Sequence, residues 1–193
     1  MEIDINQKKI SIGAEYKIFL NGKMKYLASK KLFRFLAEIN VFGDSANTAL
    51  YTIKQNWAWF STSYDIDRYD HHTYKFRTIS FWKLHYECEV GADRYEIYGH
   101  RGRKFSIYKN DVQVAWWNKD AVAWFKGDNY KIIADDDADI ELLICFCLII
   151  DNSDSKNNDG NTVTFDLGNI GPQAKKFNPD WAPKLIASGN REA

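Results

Sequence analysis

Nine consecutive apolar residues, Leu142 to Ile150 in "LLICFCLII", constrain this chain more than any other feature. A bilayer-spanning helix needs about 20 such residues, and a run of about half that length reads as a buried core helix. The acids Asp135, Asp136, Asp137, Asp139 and Glu141 come just before it. Carboxylates there satisfy free N–H groups and face the positive end of a helix dipole, so a helix is expected over about 136–150. The apolar run leaves that helix no polar face, and it must be enclosed on all sides.

The enclosing material lies upstream. "YKIFLNGKMKYLAS", Tyr16 to Ser29, reads as two strands joined by Asn21-Gly22, the dipeptide that best tolerates the positive φ angles of a tight type I′ hairpin. From Phe81 onward "FWKLHYECEV", "RYEIYG", "RKFSIYK", "VQVAWW", "AVAWFKG" and "NYKIIAD" are short aromatic or β-branched runs, separated by turn material such as Asn110-Asp111 and "GHRG". Several alternate. Tyr95 and Ile97 oppose Glu96, and Phe105 and Ile107 oppose Lys104 and Ser106, which predicts one wet and one dry face. "ALYTIKQNWAWFSTSYDI" supplies two more strands, and "DRYDHHTYK" a polar loop.

Ten to twelve strands emerge, with no strand–helix alternation. A closed antiparallel barrel around the apolar helix satisfies both halves of the pattern, because closure removes exposed edges and the helix fills the lumen. The fold class is mainly β. A chain of 193 residues suits one such domain with a tail: a barrel over 1–152 and an extension over 153–193, expected to dock on the barrel through Trp181 of "NPDWAP".

An early hairpin carrying "NGK", a middle reading "YEIYGHRGRKFSIYKNDVQVAWW" and a finish of "GDNYKIIADDDADIELLICFCLIIDN" resemble the tubby C-terminal-like superfamily, which includes the LURP-one-related proteins and the phospholipid scramblases. The resemblance covers about 16–152 and lies in the order of elements. It implies a twelve-stranded barrel around a C-terminal hydrophobic helix. For function it implies lipid or phosphoinositide contact, as in the tubby branch, or membrane-lipid association, as in the scramblases. The chain departs from the scramblases in lacking a proline-rich or cysteine-rich lead, and it continues about forty residues past Asp151, where the family usually ends with the helix.

Lys and Arg number 26, as do Asp and Glu, so no long-range field draws the chain to nucleic acid or to an acidic surface, and a charged partner must be met by a local patch. The aromatics are expected to alternate inward, which leaves no stacking platform for nucleic acid. The N-terminus lacks the basic start and apolar block of a signal peptide. Cys88, Cys145 and Cys147 form no disulfide framework or zinc knuckle and are expected as buried core filler, consistent with a reducing, cytoplasmic setting and peripheral membrane contact at most.

Two basic clusters remain as candidates for a phosphate or anionic headgroup, held by charge-assisted hydrogen bonds. Lys23 and Lys25, with Lys30, Lys31 and Arg34, flank the first hairpin; Arg101, Arg103 and Lys104, with His100, form the "HRGRK" turn. His71-His72 with Asp65, Asp67 and Asp70 lack a well-spaced third ligand and read as a solvated loop. "SKNNDGNTVTFD", residues 155–166, approaches a calcium loop but starts on Ser and ends on the shorter acid, so it reads as an Asp-Gly turn. No G-x-S-x-G, HExxH, P-loop or GxGxxG occurs. The sequence therefore points to a non-enzymatic binding or regulatory module with no metal or cofactor, contacting an anionic lipid or a phosphorylated small molecule. The alternative is a protein-interaction module that uses the extension.

Overall fold

The computed structural model describes residues 1–10, 13–33, 36–44, 47–56, 63–119, 129–157 and 173–186. Twelve strands precede one helix: β1 (Glu2–Ile10), β2 (Gly13–Leu20), β3 (Lys23–Phe33), β4 (Leu36–Gly43), β5 (Tyr51–Asn56), β6 (Ser63–Arg68), β7 (Thr73–Ser80), β8 (His85–Val90), β9 (Asp93–His100), β10 (Lys104–Lys109), β11 (Val112–Lys119), β12 (Asn129–Ala134) and α1 (Ile140–Asn157). Each strand pairs antiparallel with its sequence neighbours, and β1 closes the ring on β12 with Ile3 opposite Ile132. The expected strand at 121–127, the one in "NTVTFDLG" and most of the calcium-like loop fall outside the described residues.

Tight turns set the register. Asn21 and Gly22 have φ of 47° and 78°, and Asn110 and Asp111 have 49° and 67°, as a two-residue hairpin whose twist matches its strands requires. Alternation then turns Ile3, Ile5, Tyr16, Ile18, Ile53 and Ile66 inward, each at most 1% exposed. They meet α1, in which every residue from Leu142 to Ile150 is no more than 2% exposed. The helix therefore fills the barrel and is apolar on all sides because barrel wall surrounds it on all sides.

The helix differs in its limits from the expected 136–150. It starts at Ile140, where the Asp139 carboxylate accepts the Leu142 N–H at 3.1 Å as an N-cap, and it continues to Asn157. Burial pushes the Asp139 carboxyl up, partly opposed by that bond. The other acids tie chain ends together. Asp136 receives the N-terminal ammonium at 3.1 Å and the Ile186 N–H at 3.1 Å, and Asp135 receives the Lys184 N–H at 2.6 Å.

Because the strands run up and down in sequence order, successive turns fall at alternate ends. The turns after β2, β6, β8 and β10 lie at the end where α1 enters, and those after β7 and β9 lie at the opposite end, where it leaves. At the exit end one strand is shorter than its sequence pattern implies. "FWKL" is a turn and not the start of β8: Leu84 has φ of 47°, its N–H donates to the Phe81 carbonyl at 3.2 Å, and its own carbonyl accepts the Gly99 N–H at 2.8 Å.

That turn packs against β9 where only glycine fits. A Cβ on Gly99 would lie 2.5 Å from Leu84 Cβ, 2.8 Å from Leu84 Cδ1 and 3.1 Å from Phe105 Cε1. Gly99→Ala is expected to destabilise by about 1–3 kcal/mol through overpacking, read as a lowered urea midpoint with an unchanged slope. An unchanged midpoint would show that the turn moves freely away from β9.

Candidate functional site

The structure separates the two basic clusters. Lys23 and Lys25 are exposed at the start of β3, at the entry end. Acids crowd that end. Lys25 Nζ lies 3.9 Å from Asp44, and the Tyr26 hydroxyl donates to Glu141 at 2.8 Å. Lys30 is 8% exposed further along the strand. Arg101, Arg103 and Lys104 belong to the exit end, so the barrel's length divides the candidates and they form no single site.

At the exit end, Arg101, Gly102 and Arg103 make the β9–β10 turn. All three are exposed, and positive φ at Gly102 (74°) and Arg103 (56°) folds the chain back. His100, counted with this cluster in the sequence, does not share its exposure. It is 2% exposed, its Nε2 lies 2.6 Å from Ser106 Oγ, and burial lowers its pKa, partly offset by hydrogen bonds to Gln173 and to the Lys175 backbone. Lys104 is half-buried with its Nζ 5.0 Å from the centre of the Phe177 ring.

The neighbouring β7–β8 turn adds what sequence reasoning missed. Trp82 is 73% exposed, Ile79 50% and Phe81 46%, with the Phe81 and Trp82 rings edge to face at 6.2 Å. Lys83 beside them is exposed as well. The Leu84–Gly99 hydrogen bond joins this turn to the base of the arginine turn, so exposed aromatic and cationic side chains occupy adjacent turns at one barrel end. The expectation that the aromatics all alternate inward fails here, because Phe81 and Trp82 sit in a turn, where period-two alternation does not apply.

The segment 173–186 lies along the outer wall between the two ends. Phe177 meets His100 and Trp116 edge-on at 5.3 and 5.7 Å, the Trp181 indole N–H donates to the Gln113 carbonyl at 3.2 Å, and Lys184 and Ile186 reach the Asp135–Asp136 pair at the entry end. The outward face of β9 and β10 is not wet as expected from alternation: Ser106 is 0% exposed beside His100, which Phe177 meets, and Glu96 is 8% exposed among His85, Arg94 and Tyr98.

The other candidates take structural places. Asp70 accepts from the His72 backbone and lies 3.1 Å from His72 Nδ1, while Asp67 accepts from Thr73 and Lys54, so these residues brace the β6–β7 turn and β5. Among the described residues no three His, Cys, Asp or Glu side chains converge as metal ligands. Cys88, Cys145 and Cys147 are free and buried, and burial pushes the Cys88 thiol up to about 12.

A family model described as LURP-one-related matches residues 1–151, from the first strand of the barrel to the end of the apolar run in its helix. The chain belongs to the LURP-one-related family. That family lies within the tubby-like superfamily, and the closed barrel with a helix inside is the architecture seen here. Comparison with curated proteins and with solved structures gave no significant match. The family match ends at Asp151, so the wall-bound segment 173–186 of this LURP-one-related chain lies beyond it. Among the described residues no helix is long and apolar enough to cross a membrane.

Proposed function

We propose that this chain is a non-enzymatic binding module that docks its exit end on an anionic lipid surface, in a reducing, cytoplasmic setting. The supporting observation is the pairing of two adjacent turns, one carrying exposed Phe81 and Trp82, the other Arg101 and Arg103. Tryptophan and phenylalanine partition into the headgroup region, where an apolar ring body and a polar edge are both accommodated. Arginine adds bidentate hydrogen bonding to phosphate. At the entry end Lys25 has Asp44 as an acidic neighbour, and among the described residues no exposed pair of packed aromatic rings accompanies Lys23 and Lys25, so Arg101 and Arg103 carry the reading, with Lys104 secondary because it packs on Phe177. A soluble phosphorylated ligand shares the arginine chemistry but makes no use of an exposed tryptophan.

The test is sedimentation with phosphatidylcholine vesicles, with and without phosphatidylserine, at low salt. Each basic residue at an anionic surface contributes about 1 kcal/mol, so Arg101→Ala with Arg103→Ala is expected to weaken retention roughly 30-fold. Trp82→Ala is expected to weaken it too, and added salt to release the protein. Retention that is unchanged in the double variant, or equal on neutral vesicles, overturns the reading. Binding of inorganic phosphate with no vesicle retention would move the site to a soluble ligand.

A further inference from the structure

The outer wall carries a second, separate constellation. Tyr98 of β9 and Tyr108 of β10 meet edge to face, their ring centres 5.6 Å apart and planes at 82°, which makes a right-angled aromatic corner. Lys175 places its Nζ in that corner, 3.5 Å from the centre of Tyr108 and 5.1 Å from that of Tyr98. An ammonium over aromatic faces is attracted by the ring quadrupole, and such cages recognise methylated ammonium groups.

Both rings are fixed before any ligand arrives. His85 stacks on Tyr98 at 4.5 Å and 13°, the Tyr98 hydroxyl donates to Glu96 at 2.9 Å, and the Tyr108 hydroxyl donates to Gln113 Oε1 at 3.1 Å. Glu96 brings negative charge to the corner. Burial pushes its carboxyl up, but the Tyr98 hydrogen bond, Arg94 and His85 outweigh that and hold it below its ordinary value. Burial raises both phenols, so the rings stay neutral.

Lys175 is an imperfect occupant of this corner. A primary ammonium is a strongly hydrated point charge with three donors. Among the described residues no carboxylate lies within ion-pair distance of the half-buried Lys175, so ring faces, which make poor hydrogen-bond acceptors for its N–H groups, take the place of an anion. A methylated ammonium keeps the charge, has no such donors to satisfy and presents methyl groups to the ring faces. We propose that the Tyr98–Tyr108 corner is a binding site for a methylated ammonium group, occupied in the free chain by Lys175 of its own C-terminal segment as an internal stand-in.

The experiment uses the full chain and three probes: tetramethylammonium, phosphocholine and Nε-trimethyllysine, titrated by calorimetry and by amide NMR shifts. Lys175→Ala is expected to bind tetramethylammonium about tenfold or more tightly than the wild type, because the competitor is gone. Tyr108→Leu in the same background is expected to abolish that binding. Phosphocholine or trimethyllysine, whichever binds tighter, names the source of the group. Lys175→Met, which keeps the length of the side chain, serves in place of Lys175→Ala if the latter fails to give a wild-type thermal transition. A purely structural lysine would change the melting temperature and create no affinity. Equal affinity in wild type and Lys175 variants, binding that survives Tyr108→Leu, or no binding of any probe would overturn the proposal.

Discussion

Asp151→Ala is expected to lower stability by about 3–5 kcal/mol, the range found when one member of a buried ionic cluster is removed. Asp151 is 1% exposed and directly follows the apolar run. Its Oδ2 accepts from Tyr16 at 2.9 Å and from Gln7 at 3.0 Å, its Oδ1 accepts from Tyr130, and Lys119 Nζ lies 3.7 Å away. One helical carboxylate therefore gathers β1, β2, β12 and β11 around the exit end of α1. Beside it Asn152 donates to the Tyr64 hydroxyl at 2.8 Å, reaching β6. Burial, followed by the charge of Asp151, drives the Tyr16 phenol well above its ordinary value, so Tyr16 remains a donor. Alanine would take the shared acceptor from three buried donors, Gln7, Tyr16 and Tyr130, and the counter-charge from the partly buried Lys119, and the loss of a buried group's partner costs more than the bond itself returned. Asp151→Asn keeps the volume and one acceptor oxygen, and should lose about half as much. Urea unfolding followed by circular dichroism measures both. An Asp151→Ala midpoint equal to the wild type would mean that the cluster does not fix the helix in the barrel.

The sequence disclosed the core of this arrangement because the relevant signals are local. Nine apolar residues in a row admit few environments, and Asn21-Gly22 admits few turns, so the buried helix and the first hairpin follow from residues in contact along the chain. Closure of the ring does not. The pairing of β1 with β12 joins Glu2 to Ile133 across most of the chain, and in advance it is argued only indirectly, from the lack of strand–helix alternation and from an apolar helix that needs enclosing. The helix starts at Ile140 and not at about 136 for a related reason. Any of five acids satisfies the local rule for an N-cap, and Asp139 is distinguished from Asp135 and Asp136 by contacts to Lys184, Ile186 and the N-terminus that lie far away in sequence.

The candidate site was half legible. Arg101 and Arg103 stand out as charge in a turn, but Phe81 and Trp82 read as ordinary strand aromatics until Leu84 is seen to leave the β region. Their neighbourhood with the arginines exists only because β8 and β9 pair. Lys23 and Lys25 look equivalent to the arginines in sequence and differ from them in three dimensions: they lie at the other end of the barrel, where Lys25 faces Asp44. The face expected to be wet at Glu96 and Ser106 is covered, because alternation reports which side of the sheet a residue takes and says nothing of what packs there: His85, Arg94 and Tyr98 surround Glu96, and His100, itself met by Phe177, lies on Ser106.

Phe146→Ala tests the enclosure of the helix itself and is expected to cost about 3–5 kcal/mol. Phe146 is 0% exposed, its ring centre 5.8 Å from that of Phe76 and 5.5 Å from that of Tyr95, and Phe76 stacks in turn on Tyr86 at 5.6 Å. In an open helix–sheet sandwich the helix can settle toward the sheet and shrink the space left by a lost ring. Here wall surrounds the helix, so a shift that closes the gap on one side opens one on the other, and the strands cannot contract without breaking ladder hydrogen bonds on both edges. The cavity should therefore persist, placing the loss near the upper part of the range, whereas Phe146→Leu, which leaves most of the volume filled, should lose about 1 kcal/mol. Thermal and urea unfolding give the two values. A Phe146→Ala loss as small as that of Phe146→Leu would show that the wall yields, and with it that the ring of strands is not closed tightly enough to hold the helix by packing alone.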